Sequence, residues 1–219
     1  LPNLAHHGLR YIRAGPDGRL YIAIGSPCNI CQPQGLQGTI VSISPNGGDL
    51  QRVAWGVRNS VGFDWSGGVM YFTDNGADGM GDNIPPDELN TLRPGAFYGF
   101  PYFGGRMWLR GFETAAPPVP QTPPVYEFQA HVATLGIHFY RGAMFPELRG
   151  EALVAEHGSW NRSTPVGYQV VRMRIDGGSS GNGQSFLRSI GRPVDIEELP
   201  DGSIVVSDDA GGRIWRISR

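Results

Sequence analysis

Long apolar runs are missing from this 219-residue chain, so nothing in it has the length of a membrane-spanning helix. Charge is also scarce: 17% of residues are charged and the formal net charge is −2, which removes any electrostatic case for nucleic acid as a partner. Helical periodicity is almost absent. Only two cysteines are present, in Cys28-Asn29-Ile30-Cys31. Gln32 stands where a c-type haem site needs His, no second ligand pair supplies a zinc site, and no helical pattern follows to make a thioredoxin-like motif. What is left is a local disulfide or a pair of loop thiols, and a disulfide would point to an exported protein. The N-terminal Leu1-Pro2-Asn3 is not a signal peptide. A start without Met and in mid-pattern is expected of a fragment whose own N-terminus lies elsewhere.

Glycine (33), proline (18) and aromatics (11%) are plentiful, a mixture that suits many short strands joined by turns. The same turn-plus-strand chemistry recurs four times: Pro16 to Gly25, Ser66 to Asp74, Leu148 to Glu156 and Pro200 to Asp208. Short apolar strands are expected ahead of these at Leu9 to Ile12, Val61 to Trp65, Leu135 to Tyr140 and Val194 to Leu199. Third strands are expected after them at Thr39 to Ile43, Tyr168 to Ile175 and Gly212 to Ile217, with a weaker one at Asp87 to Leu92. Units of this kind every roughly 50 to 80 residues are the mark of β-propeller blades. The expectation is an all-β chain, residues 1–219 forming one propeller domain, as an open arc of about four blades from a larger ring. The stretch Gly95 to Gln129 reads as an elaborated loop over one face.

In a blade the innermost strand and its neighbour are antiparallel, so the start of the first and the end of the second share one face of the ring. At the strand starts stand His7, Arg58 with Asn59, and Arg192, with Thr134 in the third unit. At the strand ends stand Gly25-Ser26, Asp74 to Ala77, Glu156 to Arg162, and Asp208-Asp209. Guanidiniums suit carboxylate or phosphate, an imidazole suits general-base work, and a glycine loop can offer carbonyls to a hard cation. The same arginines could instead serve only as structural partners of Asp74 and Asp208. Trp65 and Trp215 read as packing between blades.

These residues also carry a family resemblance. His7-Gly8-Leu9-Arg10 leading into Gly15 to Tyr21, Gly56-Val57-Arg58-Asn59-Ser60-Val61-Gly62, Asp74-Asn75-Gly76-Ala77, Asp87-Glu88-Leu89-Asn90 and Tyr98-Gly99-Phe100-Pro101 resemble motifs of the soluble quinoprotein sugar dehydrogenases, the glucose/sorbosone dehydrogenase family. Ala155 to Arg162 and Asp195 to Ile214 are most similar to the sorbosone-dehydrogenase-like branch. The resemblance implies a six-bladed propeller that binds pyrroloquinoline quinone (PQQ) and Ca²⁺. It implies oxidation of an aldose or sugar aldehyde in the bacterial periplasm, or as a secreted protein, with an external electron acceptor. By position it makes His7 the base that removes the substrate hydroxyl proton as hydride passes to the quinone. Arg58, with Asn59, would stabilise the developing negative charge. The carbonyls of Gly76 and Ala77 would hold Ca²⁺, Arg192 would bind a PQQ carboxylate, and Trp160, Asn161 and Arg162 would line the pocket. The chain departs from the family at Ala77, where a proline is usual, and at Arg192-Pro193-Val194, which keeps one arginine where some members have two. About two of the six blades are not accounted for. The rival readings are a calcium-dependent lactonase-type propeller and a non-catalytic sugar-binding propeller.

Overall fold

The computed structural model describes residues 1–3, 5–176 and 179–219. Four antiparallel sheets follow one another along the chain. The first holds β1 (Ile12–Ala14), β2 (Leu20–Ile24), β3 (Thr39–Ile43) and β4 (Gln51–Trp55). The second holds β5 (Phe63–Ser66), β6 (Val69–Asp74) and β7 (Asp87–Thr91). Three short strands then intervene, β8 (Ala96–Phe97), β9 (Phe103–Gly104) and β10 (Met107–Trp108), before β11 (Tyr126–Phe128) completes that sheet. The third sheet holds β12 (Thr134–Phe139), β13 (Ala152–Glu156) and β14 (Gln169–Met173). The small pair β15 (Ile175–Asp176) and β16 (Ser179–Ser180) comes next, and β17 (Gln184–Arg188) forms the outer edge. The fourth holds β18 (Pro193–Glu198), β19 (Ile204–Asp208) and β20 (Arg213–Ile217). The chain is all-β and builds four blades of a β-propeller.

The repeating turn has one physical basis. In Pro16-Asp17-Gly18 and Pro200-Asp201-Gly202 the glycines take φ of 77° and 83°, and the preceding aspartate accepts the N–H two residues on, at 3.2 Å from Arg19 and 3.0 Å from Ser203. Three differences from the sequence reading stand out. The first inner strand lies at Ile12–Ala14, because Arg10 folds the preceding segment into a loop by donating to the carbonyls of Pro2, His7, Gly8 and Leu9. The first three blades each carry a fourth strand, β4, β11 and β17, whose alternating or polar sequences show no apolar run. The stretch Gly95 to Gln129 is more than a loop: β8 adds in parallel to the outer edge of the first blade, and β11 closes the second.

Apolar faces of adjacent blades form three seams. Phe63, Met70 and Phe72 of the second blade pack on Ala23, Ile40 and Ala54 of the first. Trp65 meets Tyr21 edge-on at 5.3 Å in the same seam, which bears out its reading as packing between blades. Tyr71, Leu89 and Phe128 join Ile137, Val154 and Met173 of the third blade, whose Leu153 and Val170 in turn join Ile196 and Val206 of the fourth. Nearer the axis the inner strands almost touch. A methyl group on Gly62 would sit 2.2 Å from the Leu135 carbonyl oxygen, and one on Gly136 would sit 2.7 Å from the Asp195 Cα. Across the channel Arg13 of β1 pairs with Glu197 of β18 at 2.9 Å and approaches Asp64 of β5 at 3.8 Å. The first and fourth blades thus face one another, as blades three steps apart do in a ring of six.

The contact at Gly62 is with backbone, which cannot swing aside. Gly62→Ala in the full-length protein is expected to lower unfolding free energy by about 1–3 kcal/mol. Denaturant unfolding checks this, and an unchanged midpoint would contradict the close approach.

Candidate functional site

The inner strands deliver their first residues to one face by a shared device. The Asp74 carboxylate, at the end of β6, accepts the backbone N–H groups of Arg58 and Asn59 at 2.8 and 2.6 Å. Asp208, at the end of β19, accepts the N–H of Arg192 at 2.9 Å. The carboxylates are therefore spent on the arginine backbones, and both guanidiniums are left for other partners. Burial pushes Asp74 up from the ordinary carboxylate range, and the two backbone bonds and the Arg58 charge oppose that shift. Glu88 stands directly opposite Asp74 in the ladder and is pushed up too, by burial first and then by the Asp74 charge.

His7 is the best-defined reactive group on this face. Its Nδ1 lies 3.0 Å from the Ser26 carbonyl and 3.2 Å from the Ser26 Oγ. A carbonyl only accepts, and the Ser26 hydroxyl donates to the Cys28 carbonyl at 2.7 Å, so Nδ1 carries the hydrogen. The lone pair is consequently on Nε2. Burial lowers the His7 pKa to about 3; the Arg58 charge and His6 push the same way, and the bond to Ser26 opposes them. The ring is neutral at physiological pH, as a base must be.

Arg58 is 4% exposed, and four of its five N–H donors are engaged. Its Nε donates to the Asn29 carbonyl at 3.0 Å, one terminal nitrogen to the Asn75 carbonyl at 3.2 Å, and the other to Asn29 Oδ1 at 2.8 Å and Asp78 Oδ2 at 3.0 Å. Asp78 Oδ1 accepts from the Asn161 amide at 2.8 Å, which ties the third blade to the second. Arg192 reaches the same mouth from the fourth blade. One terminal nitrogen donates to the Gly158 carbonyl at 2.7 Å and to His157 Nδ1 at 3.1 Å, and the group lies 5.5 Å from the Tyr168 ring. His157 Nε2 bonds Asp209 at 3.0 Å.

Two connecting cavities follow. One, of about 290 Å³, is lined by His7, Arg58, Asn59, Asn75, Gly76, Asp78, Asp87, His131, Trp160 and Asn161. The other, of about 690 Å³, is lined by His7, Tyr11, Asn59, His157, Trp160, Arg192 and Asp209. Among the expected site residues His7, Arg58, Asn59, Gly76, Arg192, Trp160 and Asn161 converge here, with Trp160 72% exposed at the rim. One is placed differently. Arg162 is turned to the carbonyls of Asp82, Ala130 and Thr164, where it joins loops instead of facing the cavity. The Ala77 methyl packs with Phe100 and Leu109 behind the loop Asp74 to Ala77, in keeping with an expectation that concerned only its carbonyl. Asn29, Asp78 and His131 were not singled out in the sequence. A cysteine-flanked asparagine and a carboxylate one residue beyond the expected loop were the only hints, and His131 sits in an interblade connection with no motif around it.

Backbone strain concentrates at this face. His7, His131, Ala133 and Tyr168, none of them glycine, take φ of 49°, 67°, 56° and 58°. Among the buried polar atoms of the described residues that have no hydrogen-bond partner are the Arg192 Nε donor and the Asn161 Oδ1 acceptor, with Thr134 Oγ1 at a strand start. A donor needing an anion and an amide oxygen needing a cation or donor fit a carboxylate-bearing cofactor and a hard divalent ion. Among the described residues no three His, Cys, Asp or Glu side chains stand at metal-binding spacing. A cation here would therefore draw on backbone and amide oxygens and on the cofactor itself.

A propeller arc with an arginine- and histidine-lined mouth is one class of protein, and comparison with known proteins narrows it. The Glucose / Sorbosone dehydrogenase family model matches residues 2–216, and the chain belongs to that family. It is similar to an uncharacterized protein of Borreliella burgdorferi, 44% identical over 232 aligned positions, and it covers 98% of this chain but spans only 61% of that relative's length. Among solved structures it is similar in fold to the Trichoderma reesei Carbohydrate-Active Enzymes Family AA12 protein (TM-score 0.82, 22% identity, 97% of this chain and 68% of that one). It is also similar to the PQQ domain of Coprinopsis cinerea pyranose dehydrogenase in its holo form (TM-score 0.79, 21% identity, 99% and 71%).

With its pKa lowered to about 3, the His7 ring is expected to show a flat NMR shift from pH 8 to pH 5. The unfolded chain takes up that proton near pH 6.5, so His7 lowers stability as pH falls from about 6.5 towards 3. His7→Asn should remove that part of the slope. A titration midpoint between 6 and 7 would contradict the burial against Arg58.

Proposed function

We propose that the protein is a PQQ- and Ca²⁺-dependent dehydrogenase of aldose sugars or sugar aldehydes that passes electrons to an external acceptor. The observation that carries this reading is the His7 Nε2 lone pair, on a neutral imidazole lining the same cavity as Arg58. Family membership over nearly the whole chain supports it. So do the holo PQQ domain and the calcium structure among the proteins of similar fold. The carboxylates at the mouth are already engaged, Asp78 by Arg58, Asp87 by the Gly76 and Ala133 N–H groups and Asp209 by His157, whereas a lactonase-type centre would ask for several carboxylates and amides turned to one ion. The Cys28–Cys31 disulfide is in keeping with a periplasmic or secreted location. No described helix is long and apolar enough to cross a membrane.

When bound, PQQ would supply the two-electron acceptor and Ca²⁺ would polarise it. The chain supplies the rest. His7 Nε2 takes the proton of the substrate hydroxyl while the Nδ1–H stays on Ser26, which keeps the ring orientation unchanged during transfer. A negative charge docked beside Arg58 would offset the Arg58 part of the His7 shift, while the larger part, which comes from burial, stays. Arg192, which lines the larger cavity, binds a carboxylate, as one guanidinium in a partly dry site does well. Gly76 and Ala77 offer backbone oxygens, and Trp160 gives the sugar a flat apolar face at the rim.

Calorimetric titration of PQQ into the Ca²⁺-loaded full-length protein tests this directly. Arg192→Ala is expected to weaken PQQ binding at least about tenfold. His7→Ala should leave binding in place and lower kcat about 10²- to 10⁴-fold. A folded protein that does not bind PQQ overturns the reading.

A further inference from the structure

The Cys28-Asn29-Ile30-Cys31 segment has a role that the family reading leaves unused. Its cysteines are joined, and the short closed segment presses Asn29 against Arg58. The Asn29 carbonyl accepts from Arg58 Nε at 3.0 Å and its side-chain oxygen accepts from a terminal nitrogen at 2.8 Å. That same oxygen accepts the Asp78 backbone N–H at 2.8 Å, while the Asn29 amide donates to the Asp78 carbonyl at 2.9 Å. Asn29 thus pairs with the Asp78 backbone much as a neighbouring strand would, and the Asp78 carboxylate closes the ring on the guanidinium at 3.0 Å. At its other end the segment reaches the base: the Ser26 hydroxyl that faces His7 Nδ1 donates to the Cys28 carbonyl at 2.7 Å.

We propose that Asn29, held by the Cys28–Cys31 disulfide, is a positioning residue that aims Arg58 into the cavity, and that the segment 26–31 holds Arg58 and His7 in fixed relation. What the two side chains do rests on the dehydrogenase reading; how they are held does not. A guanidinium presents its donors in a rigid planar fork, so its direction is set by where its acceptors stand. For Arg58, half of the acceptor contacts come from one residue of a loop that belongs to another blade. A four-residue loop without secondary structure would sample many conformations. The disulfide removes that freedom, and with it the freedom of Arg58 to turn wholly onto Asp78.

The test uses the full-length protein labelled with ¹⁵N-arginine. The Nε–H of the buried Arg58, donating to the Asn29 carbonyl, should give a cross-peak protected from solvent exchange. Asn29→Ala keeps the carbonyl but removes the side-chain pairing with Asp78 that holds it in place, and is expected to lower that protection at least about tenfold. Dithiothreitol on the wild-type protein should do the same, giving its two electrons and two protons to form the Cys28 and Cys31 thiols as it closes to its own cyclic disulfide. Asn29→Asp, which keeps the side-chain acceptor, should retain part of the protection. In the loaded enzyme Asn29→Ala should lower kcat about tenfold with KM changed less than about twofold. Unchanged Arg58 exchange in both Asn29→Ala and the reduced protein overturns the clamp. Lost protection with unchanged kcat overturns its catalytic role. The exchange measurement needs no cofactor, so a protein that fails to bind PQQ removes the dehydrogenase reading and still reports on the clamp. Should Asn29→Ala not fold, the reduced wild-type protein carries the same comparison.

Discussion

The site face depends on how near the inner strands come to the channel axis. Gly62 and Gly136 leave β5, β12 and β18 backbone against backbone, and at Gly62 even a methyl group has no room. That approach brings the strand starts of successive blades to within reach of single side chains. Asn75 of the second blade donates to the Thr134 carbonyl of the third at 2.8 Å, and Thr73 to the Leu135 carbonyl at 2.7 Å. A wider spacing would leave these donors to water and open the mouth.

Within that frame the second blade concentrates buried charge. Asp74, Asp87 and Glu88 lie together beneath the loop Asp74 to Ala77, and burial raises all three, Asp87 to about 6. Each is answered by backbone N–H groups: Asp74 by Arg58 and Asn59, Asp87 by Gly76 and Ala133, Glu88 by Gly105. Buried carboxylates of this kind cost free energy unless they order something, and what they order here is the loop and strand start that face the cavity. The strained backbones of His7, His131 and Ala133 sit on the same scaffold, which over-determines their conformations.

Arg58 and Arg192 show how one motif acquires two environments. Both have their backbone N–H held by a carboxylate at the end of the second strand. Arg58 is then enclosed by a neighbouring blade's disulfide segment and a carboxylate, whereas Arg192 lies on Tyr168 with its Nε unpartnered. The first is held by four acceptors and the second by two, the Gly158 carbonyl and His157 Nδ1.

The repeat, the Pro-Asp-Gly turns and the antiparallel order were legible in the sequence because they rest on local chemistry: glycine at positive φ, aspartate over the following N–H, and apolar strands of period two. Those rules placed His7, Arg58, Asn59 and Arg192 on one face, since alternation along a hairpin settles which ends meet. The outer strands β4, β11 and β17 were not legible, because they are short or carry exposed polar residues among the apolar ones. Nor were the directions of the side chains. Arg162 turns to the Asp82 and Ala130 carbonyls, and Arg58 meets Asn29, only because loops from different blades end side by side. Local sequence determined which residues reach the face. Packing between blades decided which of them point into the cavity, because that choice belongs to acceptors far away in the chain.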